Sequence, residues 1–232
     1  MCPSYKATRD EKDTTRARAN ALRAYMSGMM PHDPVTDDEL FGVFDLCISC
    51  KACKSECPSS VDASKMKLEF MAGYRKKNGI SIRDRALSHI HALSRLASAA
   101  PGVSNLMANN TVSRKLLEIA GIHPERSLPR LADLGLGQVI RKKNAAGNRG
   151  NKRKVVLFTD TWASYYEPAV ATSAISLLEA AGYDVIIPES TGCCGRPMLS
   201  KGLIGEARKY AGALVSRLSG YAQQGIPIIG TE

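Results

Sequence analysis

Cys47-Ile48-Ser49-Cys50-Lys51-Ala52-Cys53-Lys54-Ser55-Glu56-Cys57-Pro58 gathers four of the chain's seven cysteines into one short run. The spacing is C-x2-C-x2-C-x3-C-P. Two intervening residues let a single tight loop deliver three thiolates to three irons of one [4Fe–4S] cube, and the x3-C-P step then leaves that corner. Ser49, Ala52 and Ser55 are small enough for a loop that hugs such a body. Zinc favours cysteine pairs separated by a longer insert, so this run is a poor zinc site. An odd cysteine count, with no apolar signal segment in Met1–Arg9, argues for metal or redox chemistry in a reducing compartment over disulfides.

The fourth cysteine of such a run ligates the other cube in two-cluster proteins. Cys57 then belongs to a second cluster, and the cube of Cys47, Cys50 and Cys53 needs a ligand from elsewhere. Cys2-Pro3 is a second Cys-Pro and reads as the tail of another run. Two arrangements follow: Cys2 with Cys47, Cys50 and Cys53, which the ligation rule favours, or Cys47, Cys50, Cys53 and Cys57 in one cube.

Around this run the periodicity is helical. Helices are expected over Thr14–Met29 (Leu22, Tyr25, Met26 and Met29 as the apolar face) and from a capping box at Thr36 to Glu39 through Leu46. Others are expected over Asp62–Lys77 (Met66, Phe70, Tyr74), Ile82–Ser98 and Thr111–Ala120. Arg141–Lys154, basic and glycine-containing, reads as an exposed linker. The pattern then becomes strand–helix: Val155–Phe158, a helix over Ala169–Ala181, Val185–Ile187, a helix over Leu203–Leu218, and Ile226–Ile229. That alternation predicts a parallel sheet with crossover helices. The fold class is therefore α+β: an all-α module over residues 1–140, the linker 141–154, and a partial α/β domain over 155–232. Cys193-Cys194-Gly195 lies after the second strand, where parallel sheets place their sites, and is a candidate redox or cluster pair.

The chain has 232 residues and a net charge of +10. The surplus sits in the middle, where residues 61–154 carry 19 basic and 6 acidic side chains. No zinc finger, RNA-recognition signature or aromatic-interleaved stripe accompanies it, so nucleic acid is not an expected partner. No apolar run approaches the ~18 residues of a membrane span. His32, His89, His91 and His123 are scattered, and no residue reads as an acid, base or nucleophile for a substrate.

With Cys-Pro-Ser-Tyr-Lys-Ala-Thr-Arg-Asp-Glu-Lys (2–12), Arg-Ala-Arg-Ala-Asn (16–20) and Asp-Leu-Cys-Ile-Ser-Cys-Lys-Ala-Cys-Lys-Ser-Glu-Cys-Pro (45–58), the chain resembles a known family. It is similar to the iron–sulfur C-terminal part of FAD-linked oxidases, whose members include glycolate oxidase iron–sulfur subunits and bacterial D-lactate dehydrogenases. Leu-Phe-Thr-Asp-Thr-Trp (157–162) and Cys-Cys-Gly-Arg-Pro-Met-Leu-Ser-Lys-Gly-Leu (193–203) resemble the start of that family's cysteine-rich CCG domain. Asp160 stands where heterodisulfide-reductase relatives carry a cysteine.

The resemblance implies an alpha-helical ferredoxin-type module, a [4Fe–4S] cofactor, and FAD on a missing domain or a partner chain. It implies an oxidoreductase component that passes electrons from a flavoprotein to a quinone or other carrier. The expected location is the cytoplasm, with a peripheral contact at the inner face of the membrane. The chain reads as an internal fragment of such a protein. The alternative is a stand-alone ferredoxin-like subunit related to anaerobic glycerol-3-phosphate dehydrogenase or heterodisulfide reductase.

Overall fold

Thr14, Asp33 and Asp62 each turn a side-chain oxygen onto a backbone N–H three residues ahead, at 3.0, 2.8 and 3.0 Å. These caps start the three main helices of the N-terminal part, because the first N–H groups of a helix lack internal partners. The structure, a computed structural model, describes residues 2–119, 121–123, 125–144, 153–188 and 192–231. Contacts divide it into two units: Met1–Ile80 with Met198–Ile204, and Ser81–Pro197 with Gly205–Glu232.

The first unit contains α1 (Pro3–Thr8), a 3-10 turn (Glu11–Asp13), α2 (Thr15–Met26), α3 (Pro34–Asp45), α4 (Ala52–Glu56) and α5 (Ala63–Asn78). Leu22, Leu40 and Phe44 form its core, with Tyr25, Met66 and Phe70 packed on them. Phe44 and Phe70 stack at 5.4 Å, and Tyr25 meets the Phe70 edge at 6.5 Å.

The expected apolar stripes meet here, with two corrections. Met26 and Met29 are 75% and 74% exposed: α2 ends at Met26, and Gly28 turns the chain with φ +73°. The helix α3 starts two residues before Thr36. Pro34 occupies its first turn and Asp33 is its cap, a stronger combination than the Thr36 capping box.

The second unit opens with α6 (Ile82–Ser88), α7 (Ile90–Ala97), α8 (Pro101–Ala108), α9 (Thr111–Ile119) and α10 (Leu136–Asn144). The single helix expected over Ile82–Ser98 breaks at His89, whose φ/ψ of −100°/25° is off the helical values. Ser88 Oγ bonds back to the Asp84 carbonyl at 2.6 Å just before the break, a local bond that competes with the helix ladder.

The unit continues with β1 (Arg153–Phe158), α11 (Thr161–Tyr165), α12 (Pro168–Ala180), β2 (Tyr183–Ile186), α13 (Arg196–Ser200, whose last three residues group with the first unit), α14 (Ile204–Gln223) and β3 (Ile228–Gly230). The sheet order is β2-β1-β3 and both pairings are parallel, with Val155 opposite Val185 and Val156 opposite Ile228. Val155, Val156 and Leu157 are buried, as their unbroken apolar run requires of a central parallel strand.

The α+β class is as the sequence predicts. The division by contacts differs from a boundary near residue 140, because the helices after Ile80 group with the sheet. Of the expected linker Arg141–Lys154, residues 141–144 continue α10, Arg153 and Lys154 open β1, and 145–152 lie outside the described residues.

Candidate metal centre

Phe44 anchors the end of α3 in the core, and its carbonyl accepts the Cys47 N–H at 3.0 Å. The cysteine loop therefore leaves from a fixed point. Its path is unusual: Ser49 and Lys51 both have positive φ, 53° and 62°. Left-handed backbone at non-glycine residues costs energy and persists where the surroundings impose it, commonly at binding sites. Lys67, buried on α5, donates from Nζ to the Asp45 and Cys47 carbonyls at 3.3 and 2.6 Å. It thereby ties the loop's first residue to α5. Burial holds the Lys67 ammonium below the usual lysine range, against the opposing charges of Cys47 and Asp45.

A cavity of about 50 Å³ opens inside this loop, several times the ~10–15 Å³ one water needs. Cys47, Cys50 and Cys53 line it, and so does Cys2 from the other end of the segment. Cys57 is not among the lining residues; it caps α4, with its N–H on the Cys53 carbonyl at 3.1 Å. The structure thus brings Cys2 together with the first three cysteines of the run.

Among the described residues, no three His, Cys, Asp or Glu side chains converge as ligands of a single ion do. A cube asks for something different: thiolates spaced around a body, one per iron. The buried Ser49 Oγ, beside the cavity, has no hydrogen-bond partner among the described residues. Such an orphan is rare in proteins and marks a place where a further acceptor belongs. Left-handed loop residues, four thiols lining one cavity and a buried unpaired hydroxyl all fit a cluster at this position.

The Cys2 thiol is acidified. Burial alone would raise its pKa, but hydrogen bonding with the Ser4 side chain and hydrogen bonds from the Ser4 backbone, Arg18 and the Tyr5 backbone outweigh it, bringing the thiol from 9.0 to about 7. The Ser4 Oγ lies 3.0 Å and Arg18 Nη1 3.3 Å from the sulfur. Neither Arg18 nor Ser4 was singled out by the sequence. The signal for Arg18 is faint: it shares the core-facing side of α2 with Leu22, four residues on, where an unpaired charge does not belong.

Cys193 and Cys194 belong to the second unit, the first buried and the second exposed. The Gly195 N–H donates to Cys193 Sγ at 3.4 Å. A hydrogen bond to Cys194, together with burial, pushes the Cys193 thiol well above the usual range. Gly195 has φ +86°, and a Cβ there would come within 2.7 Å of the Ala207 carbonyl oxygen, so the turn packs directly on α14. Asp160 accepts the Ala163 N–H at 2.9 Å and serves as the cap of α11.

Residues 1–62 match the family described as a 4Fe–4S dicluster domain. The whole chain is 23% identical, over 275 aligned positions, to D-2-hydroxyglutarate dehydrogenase of Escherichia coli, and to that of Pseudomonas putida to the same degree. It covers 27% of each, so the chain spans about a quarter of the length of these curated relatives. It is also 25% identical over 207 positions to the probable glycolate oxidase iron–sulfur subunit of Bacillus subtilis, covering 84% of this chain and 46% of that one. No solved structure matches the chain. The cavity lined by Cys2, Cys47, Cys50 and Cys53 thus lies in a segment that matches the 4Fe–4S dicluster domain, on a chain similar throughout to the C-terminal region of D-2-hydroxyglutarate dehydrogenase and, over most of its length, to the glycolate oxidase iron–sulfur subunit.

Proposed function

We propose that the chain is the iron–sulfur electron-transfer part of a flavin-dependent 2-hydroxy-acid dehydrogenase of the glycolate or D-lactate type. The observation that carries this reading is the cavity lined by Cys2, Cys47, Cys50 and Cys53 inside the matched segment. These four thiolates hold one [4Fe–4S] cluster, and Cys57 is directed to a second, as the ligation rule requires. When bound, such a cluster takes up and releases single electrons.

The chain's own residues supply the setting. Ser4 and Arg18 bring the Cys2 thiol toward ionisation, Lys67 fixes the Cys47 end of the loop, and Ser49 lines the cavity with a hydroxyl that would be available to the bound group. The hydride chemistry belongs to FAD on a flavoprotein domain or subunit, and the electrons pass on to a quinone or another carrier. We place the protein in the cytoplasm, in peripheral contact with the inner membrane face where the acceptor is a quinone. No helix among the described residues is long and apolar enough to cross a membrane.

In fold terms, the first unit is read as an alpha-helical ferredoxin-type module and the sheet as part of a CCG domain. Cys193 and Cys194 are the CCG pair, held by Gly195 against α14.

Anaerobic reconstitution of the full chain with iron and sulfide tests the reading. The expected result is broad absorption in the blue and an EPR signal on reduction. Stoichiometric zinc with no acid-labile sulfide overturns it.

A further inference from the structure

Arg18 is 2% exposed, and a guanidinium taken out of water is tolerated only when its donors are satisfied. Here they are shared between two segments. Nε donates to the Val43 carbonyl at 2.9 Å, Nη2 to Ser4 Oγ at 3.0 Å, and Nη1 to Cys2 Sγ at 3.3 Å. Its countercharge is Asp13, fully buried, 3.6 Å from Nη2. That distance is too long for a hydrogen bond, and Asp13 Oδ1 has no hydrogen-bond partner. The other carboxylate oxygen, Oδ2, accepts from Thr8 Oγ1 at 2.7 Å. The shorter contacts of Arg18 thus go to the cysteine segment and to the end of α3.

The placement has a topological meaning. Cys2 is far from Cys47 in sequence, and its ligand role needs something that fixes one against the other. Val43 lies four residues before Cys47, at the end of α3; Ser4 lies two residues after Cys2. A single guanidinium fork bonds both, and it lines the same cavity. Lysine cannot reproduce this, because one ammonium has no planar fork with which to span both segments.

The electrostatic meaning is separate. A donor on a cluster's cysteinyl sulfur withdraws charge from it and favours the more negative, reduced state, and hydrogen bonds to sulfur are among the established levers on these potentials. Resting on the proposed cluster at Cys2, Cys47, Cys50 and Cys53, we infer that Arg18 is a positioning residue which clamps Cys2 to the α3 end of the ligand loop and raises the cluster's reduction potential through its N–H on the Cys2 sulfur. Asp13 acts as the balancing charge and moderates that effect.

The test uses the full chain, reconstituted anaerobically, with iron and sulfide content measured first and the midpoint potential then read by EPR-monitored titration. Asp13→Asn is compared with Asp13→Asn/Arg18→Met, so that the change at position 13 is common and no unpaired carboxylate is left buried. The double variant is expected to titrate at lower potential than Asp13→Asn. It is also expected to lose iron to a chelator roughly tenfold or more faster, the usual scale for loss of an outer partner of a metal ligand. Asp13→Asn alone is expected to move the potential upward.

Arg18→Lys is the second variant and serves where the double variant does not fold. It keeps the charge but loses the fork, and a fall in potential with accelerated iron loss is expected. Arg23→Met, an exposed position on the same helix, is the control and stays at the wild-type potential. An unchanged potential and unchanged iron loss in Arg18→Lys, or in Asp13→Asn/Arg18→Met relative to Asp13→Asn, overturns the inference. A wild-type chain that assembles no cluster fails the proposed function instead, and the first measurement distinguishes the two.

Discussion

Phe44→Ala should loosen the metal centre by a route that touches no ligand. The ring is 1% exposed, packs on Leu22 and Leu40, and stacks on Phe70 at 5.4 Å. Truncating a buried phenylalanine to alanine costs about 3–5 kcal/mol, the lost transfer energy plus the cavity left behind. The Phe70 stack puts the expected value in the upper half, since such pairs add ~0.5–1.5 kcal/mol beyond burial. The two units need not unfold together, so a local probe is required. Amide hydrogen exchange on α3 and α5 supplies it. At ~1.36 kcal/mol per decade, protection there should fall by roughly 10³–10⁴-fold. Because Cys47 N–H is bonded to the Phe44 carbonyl, the reconstituted variant should also hold less iron. Leu46→Ala, two residues on and 47% exposed, should change protection by less than about tenfold. Equal, small effects from both substitutions would refute the claim that this core positions the ligand loop.

The acidity of Cys2 makes a second expectation. In the iron-free chain its alkylation by iodoacetamide should rise with pH to half-maximum near pH 7, the value its hydrogen bonds set, not near the ordinary thiol value of 9.0. The sign for stability is that of a depressed acid: the folded state gains from the thiolate above pH 9 and loses that gain as pH falls through about 7. A titration centred near 9 contradicts the cradle. A third expectation concerns Gly202, whose φ of +80° and approach to the Met71 backbone leave no room for a Cβ, at 2.7 Å from the carbonyl carbon. Gly202→Ala should destabilise the first unit by about 1–3 kcal/mol, read as lost exchange protection in α5; full protection refutes the packing.

The sequence made the ligand loop and the sheet readable because their signals are local. C-x2-C-x2-C-x3-C-P is a spacing, and Val155–Phe158 is an unbroken apolar run; neither needs tertiary knowledge. The helical stripes also survive, since Leu22, Leu40, Phe44, Met66 and Phe70 meet in one core. What failed depended on competition. Asp33 with Pro34 overrode the box at Thr36, and the Ser88 hydroxyl, bonded back to the Asp84 carbonyl, sits where a helix that periodicity alone made continuous is divided at His89.

The short helices α1, α4, α8, α10, α11 and α13 were missed because stretches of five to nine residues carry little periodicity, although the nine residues of α9 carried enough to register. Arg18 was missed for a different reason. Arginine in an exposed-looking stretch reads as solvated charge, and only the return of Cys2 to the loop, a contact across the fold, gives the guanidinium its partners. The sequence left two ligand sets, of which the ligation rule favoured Cys2 with Cys47, Cys50 and Cys53, and the shared cavity lining supports that reading.

That choice is tested most directly by comparing iron and acid-labile sulfide in Cys2→Ser and Cys57→Ser after identical anaerobic reconstitution. Each thiolate anchors one iron corner, and a serine oxygen is a harder, poorer partner for it. With Cys2, Cys47, Cys50 and Cys53 as the ligand set, Cys2→Ser loses most of the cluster while Cys57→Ser retains the iron and sulfide of this cube. The reverse order, with Cys2→Ser loaded as the unmodified chain is and Cys57→Ser depleted, contradicts the account.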